Sequence, residues 1–118
     1  MSAKNILILE DDNTRIKIFK DKYFGHNLTC TKSSKECIEH LKDTSWDILF
    51  LDHDLGGEIM VEPGEKETGT DVAIFLNQNE SCIPPLVVIH SLNPVGSKRM
   101  LEMIPNSTYV PFHIIKDM

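Results

Sequence analysis

The stretch Asp47–Gly57, DILFLDHDLGG, limits this chain more than any other. Ile48 to Leu51 is an unbroken apolar run, too short for a helix and bounded by polar residues. Such a run predicts a strand buried on both faces, as in parallel sheets. It ends in Asp52-His53-Asp54, which delivers two carboxylates and an imidazole to one sheet edge. Desolvating three ionisable groups is costly unless they are paired or bind a metal. Gly56-Gly57 follow, so the backbone can turn sharply or approach a ligand closely. In open α/β sheets ligands bind at the carboxyl ends of the strands. This stretch is therefore the expected site, and its plain alternative is a solvated strand-to-loop junction.

A length of 118 residues predicts one domain, 1–118, large enough for a real core. The net charge of −6 comes without a basic cluster, which argues against a long nucleic acid as partner. A small phosphate ligand stays compatible with it, since a metal or a helix N-terminus offsets acidity locally. Cys30, Cys37 and Cys82 are odd in number and lack CxxC spacing. They read as reduced thiols rather than a disulfide frame or zinc site. The N-terminus shows no apolar signal region, and no apolar run approaches the roughly 20 residues that span a bilayer. No membrane partner and a cytoplasmic location are expected.

Ile6 to Leu9 is a second apolar run, closed by Glu10-Asp11-Asp12. Asp12 or Asn13 can cap a helix whose apolar side is Ile16, Ile18, Phe19, Tyr23 and Phe24, with Gly25 ending it. Leu28 to Thr31 makes a short strand. Ser33 with Glu36 forms a capping box for a helix to about Asp43, with Cys37, Ile38 and Leu41 inward. From Glu58 to Thr68 the chain has no period and four glutamates, a loop beside the site that acts as a lid or is a surface excursion. A helix from Gly69 or Thr70 to about Asn79 buries Val72, Ala73, Phe75 and Leu76. Pro84-Pro85 leads into a third apolar strand, Leu86–Ile89, ending in His90-Ser91. Asn93-Pro94 opens a helix through Ile104, and Tyr109 to His113 is the last strand. The alternation of strands and helices predicts a doubly wound five-stranded parallel sheet of flavodoxin-like type. Its last helix is truncated or missing, because only five residues follow.

These residues resemble a receiver domain of the response-regulator class across nearly the whole chain. ILILEDD is similar to the first receiver strand with its acidic pair, which implies that Glu10 and Asp11, or Asp12, stand at magnesium-binding positions. FLDHDLGG resembles the third-strand motif and implies Asp52 as the phosphoacceptor; Thr68-Gly69 is similar to the start of the third helix. Two departures stand out. His90 falls where receivers have a Ser or Thr, with Ser91 one residue late, and Val110 falls where they have a Lys, Lys116 lying beyond the strand. LDHDLGG, the later TG and VIHSLNP together resemble a receiver-derived group described as cyclic-phosphate processing receiver domains. That resemblance implies chemistry on a cyclic phosphate or cyclic nucleotide, in nucleotide signalling of microbial and phage conflict.

Asp11, Asp12, Asp52 and Asp54 are hard oxygen ligands expected at one edge, which suits Mg²⁺ or Mn²⁺. A proton-sharing acidic cluster without metal is the alternative. His53 and His90 are expected at the ends of adjacent strands. There they can act as base and acid on either side of a phosphate, with Asp52 on the metal. Ser91 and Asn93 can bind phosphate or simply cap a helix, and Gly56 and Gly57 allow close approach of a phosphate. His113 can join the site, while His26 and His40 face solvent. Three readings compete: a metal-assisted cyclic-phosphate phosphodiesterase, a non-catalytic binder of the same ligand, and a receiver phosphorylated at Asp52. A sheet face left open by the truncated end predicts a homodimer or larger homo-oligomer.

Overall fold

In the computed structural model five strands alternate with five helices, and the structure describes residues 3–52, 68–91 and 93–117. The strands are β1 (Asn5–Leu9), β2 (Asn27–Thr31), β3 (Ile48–Leu51), β4 (Leu86–Ile89) and β5 (Thr108–Tyr109). The helices are α1 (Asn13–Lys22), α2 (Ser34–Asp43), α3 (Gly69–Gln78), α4 (Pro94–Met103) and α5 (Phe112–Asp117), with one 3₁₀ turn at Glu80–Cys82. All strand pairs are parallel in the order β2-β1-β3-β4-β5, the expected doubly wound, flavodoxin-like sheet.

Strand alternation divides the core in two. Leu7, Leu9, Leu49, Leu51, Val87 and Ile89 face one side and pack with α2, α3 and α4 through Cys37, Leu41, Val72, Ala73, Leu76 and Met100. Ile6, Ile8, Phe50 and Val88 face the other, against Phe19 of α1 and Phe112 and Ile115 of α5. Each such side chain contributes roughly 1.5–3 kcal/mol of burial.

Short polar side chains set where the helices begin. The Asp12 carboxylate accepts from the amides of Thr14 and Arg15 to start α1. Ser33 accepts from the Glu36 amide, but the Glu36 carboxylate accepts from the Lys32 amide, one residue beyond the Ser33 amide that a reciprocal box requires. The full box lies at α3 instead, between Thr68 and Asp71. Asn93 caps α4 with Pro94 in its first turn.

Three expectations change. Phe24 is 89% exposed, because α1 ends at Lys22 and Gly25 turns the chain at φ 95°, so helical spacing no longer sets its side. Strand β5 stops at Tyr109, and His113 sits exposed in α5 rather than at a strand end. Pro111 causes this: its carbonyl accepts from the amides of Ile114 and Ile115 and opens a helix. That short helix seats Phe112 and Ile115 on the sheet, so the chain's end does cover the face that it was expected to leave open. The expected Glu58–Thr68 loop lies outside the described residues up to its final threonine.

Candidate functional site

Glu10, Asp52 and His90 each stand one residue past the end of a central strand. Each is anchored there by its own amide on the neighbouring strand: Glu10 N–H on the Thr31 carbonyl, Asp52 on Leu9, His90 on Leu51. All three are buried, and one ligand atom from each lies within 4.8 Å of the others. The parallel register thus brings two carboxylates and an imidazole to one point of the sheet edge.

Glu10 is the centre of the local hydrogen bonding. Its Oε2 accepts from the amides of Asp11 and Asp12 at 3.1 and 3.2 Å, and its Oε1 lies 3.0 Å from His90 Nε2. Burial alone would raise the Glu10 carboxyl. The His90 hydrogen bond and charge, the Asp12 amide and the Arg15 guanidinium outweigh it and hold the group below the usual carboxylate value. Complete burial pushes His90 below the ordinary imidazole value, against the pull of Glu10. The two groups form one buried acid–imidazole pair joined by that 3.0 Å hydrogen bond. Phe19, Phe50 and Phe112 surround the ring at 5.4, 6.4 and 6.3 Å between centroids. Its Nδ1 has no hydrogen-bond partner among the described residues. Leaving a buried polar atom unpaired costs about 1–3 kcal/mol, and a site that serves only packing has no need to retain it.

The expected residues fall into distinct places. Asp52 and His90 meet at the cluster; Asp11 is half-buried beside it; Asp12 is exposed and its Oδ1 caps α1. Ser91 is buried and its hydroxyl accepts from the Asn93 amide, while Asn93 accepts from Gly96 at 2.9 Å. His53, Asp54, Gly56 and Gly57 lie outside the described residues. His90 is fully enclosed and turned to Glu10, not standing open at a mouth. His26 is half-buried and accepts the Lys4 amide, and His40 is half-buried beside Trp46.

Arg15 escaped the sequence reading, because one arginine in a polar helix looks like part of a solvated face. Its guanidinium lies 3.5 Å from Glu10 and 4.0 Å from Asp52, over the Phe112 ring. Val110, where receivers carry a Lys, packs against the apolar cluster of α1 and α5. Two carboxylates beside an imidazole suit a hard or borderline divalent cation held by Glu10, Asp52 and His90. The convergence of the two acids and the imidazole within 4.8 Å fits such an ion.

Solved receiver domains share this architecture. The Mn²⁺-bound form of response regulator Rcp1 matches at a TM-score of 0.70 and 18% identity, over 97% of this chain and 90% of that one. The receiver domain of Francisella response regulator 1452 matches at 0.70 and 17%, over 97% and 88%. Response regulator TrrA of Thermotoga maritima, in complex with Mg²⁺-BeF, matches at 0.67 and 15%, over 92% and 85%. These likenesses establish the fold. No curated protein sequence matches the chain. The family of cyclic-phosphate processing receiver domains matches residues 6–106. With the receiver sheet and an acid–histidine cluster at its carboxyl edge, the chain belongs to that family of cyclic-phosphate processing receiver domains.

Proposed function

We propose that the chain binds a cyclic phosphate, such as a cyclic nucleotide, at the carboxyl edge of the sheet and opens it by hydrolysis with Mg²⁺ or Mn²⁺. The observation that carries this is the convergence of buried Glu10, Asp52 and His90 within one coordination distance. The metals recorded on Rcp1 and TrrA, which share the fold, support the choice of ion. A divalent cation at this point supplies Lewis-acid polarisation of a phosphate oxygen. Glu10 and Asp52 hold it, with Asp11 at the rim and Asp54 as a further candidate. Asp12 belongs to this set only if it leaves its cap. His90, 3.0 Å from Glu10 through Nε2 within the aromatic cage, completes the ligand set. His53, next in sequence to Asp52, is the candidate to move a proton between water and the leaving oxygen. Ser91 and Asn93, before the N-terminus of α4, and Gly56 and Gly57 are the candidates to flank the phosphate.

A second reading is non-catalytic capture of the same ligand. It is favoured by the full burial of His90, which leaves the described site with ligands but no open proton-transfer group. One experiment separates the readings: incubation with cyclic mono-, di- and oligonucleotides, with and without Mg²⁺ or Mn²⁺, followed by chromatography. New products that require the cation identify a phosphodiesterase, and loss of free ligand that heat reverses identifies a binder. His53→Ala should then cost roughly 10²–10⁴-fold in rate with metal binding kept. Phosphorylation of Asp52 by a small phosphodonor, with every cyclic nucleotide unchanged, would instead make the chain an ordinary receiver.

A further inference from the structure

Arg15 has the features of a residue that waits for a ligand. Its guanidinium is 3.5 and 4.0 Å from the Glu10 and Asp52 oxygens, beyond the 2.7–2.9 Å of close charge-assisted hydrogen bonds. It shields both acids without locking onto either. Its side chain is 24% exposed, so the group reaches solvent as well as the buried carboxylates. Phe112 of α5 supports it from one side, with Cζ 5.3 Å from the ring centroid. A planar cation resting on an aromatic face keeps its orientation at low entropic cost.

We propose that Arg15 is a phosphate-binding residue: it neutralises Glu10 and Asp52 in the free protein, yields them to a divalent cation, and then grips the phosphate of the ligand. This rests on the cation site proposed above. The reason is electrostatic. A guanidinium and a divalent cation sharing the same two carboxylates repel at such distances. An anion that bridges them turns the repulsion into attraction, and the fork geometry of arginine matches two phosphate oxygens. Cation and phosphate must then bind with positive coupling, and linkage makes that coupling reciprocal.

Calorimetric titration of the full chain with Mg²⁺, with inorganic phosphate, and with each at saturation of the other tests this in wild type, Arg15→Ala and Arg15→Lys. Arg15→Ala should bind Mg²⁺ alone roughly two- to five-fold more tightly, having lost a competing cation. At saturating Mg²⁺ it should bind phosphate roughly ten-fold or more weakly, with the coupling abolished. Arg15→Lys should retain part of the coupling, since it keeps the charge and loses the fork. Thermal melts show whether the variants fold. If Arg15→Ala matches a Mg²⁺-binding wild type in both affinities, or if wild type binds Mg²⁺ but no phosphate, Arg15 is only a strut between α1 and α5. A wild type that binds no Mg²⁺ overturns the cation site itself, and this inference with it.

Discussion

The Glu10 carboxylate ties three parts of the chain together: the β1 tip that bears it, the amides that lead into α1, and His90 at the tip of β4. Its acidity was legible in the run EDD. Its burial and its partner were not, because the pairing joins residues 80 positions apart and depends on the register of three strands. Asp12 could be read in sequence as a metal ligand or as a helix cap, and geometry makes it the cap. The buried pair sets the acid stability. Because both groups titrate lower in the folded protein than at their ordinary values of 6.5 and 4.5, the unfolded chain takes up protons first as pH falls. Stability should be full above about pH 6.5, decline below it as the unfolded imidazole protonates, and decline again below about 4.5 with Glu10. Urea midpoints between pH 7.5 and 4, each value about that of a standard buffer, check this, and His90→Gln should flatten the upper step. Divalent cation should raise the melting temperature of wild type, with a stabilisation of about 2.7 kcal/mol at a hundred-fold excess over Kd. Asp52→Ala should melt identically with and without Mg²⁺ or Mn²⁺; no response of the wild type to either ion would refute the site.

Helix α5 shows how little chain is needed to close a sheet face. Six residues, Phe112–Asp117, follow Pro111 and place two apolar side chains where the cluster of Ile6, Ile8, Phe19, Phe50 and Val88 would otherwise meet water. The apolar periodicity of such a short segment is indistinguishable from a strand, so sequence read Tyr109–His113 as one extended element. Proline decided otherwise, by opening a turn that the following residues could continue. Longer elements were plain in the sequence: the apolar runs of β1, β3 and β4 have no helical interpretation at their length, and the caps of α1 and α4 mark their starts. Replacing Phe112 with Ala should cost about 3–5 kcal/mol and Ile115 with Ala about 2–5 kcal/mol if α5 is an integral part of the core. Chemical denaturation measures both. Losses near those of an exposed residue would mean that the helix lies loosely on the sheet.

At the scale of the molecule, the doubly wound order followed from the alternation of strands and helices, since right-handed crossovers leave few arrangements. The assembly does not follow in the same way, because α5 covers the face through which the sequence predicts a homo-oligomer. Among the exposed apolar side chains, Val95 on α4, Tyr109 on β5 and Ile114 on α5 stand at 54%, 42% and 46%. The homodimer or larger homo-oligomer expected through that face is now a proposal for these elements instead. Light scattering at micromolar concentration checks it, and a mass of one chain at every concentration would exclude it. Among the described residues no helix is long and apolar enough to cross a membrane. The amides of Glu10, Asp52, His90 and Val110 hang on the carbonyls of Thr31, Leu9, Leu51 and Ile89, a staircase of bonds that climbs across the whole sheet. Opening any one of these pairings withdraws a member of the site or its neighbour. Their protons should therefore trade with deuterium only when the sheet comes apart as a unit. Ligand-free protein transferred to heavy water should keep these four signals while those of Phe24 and Gly25 vanish, so the time for which the site survives intact can be read from the isotope content of its own backbone.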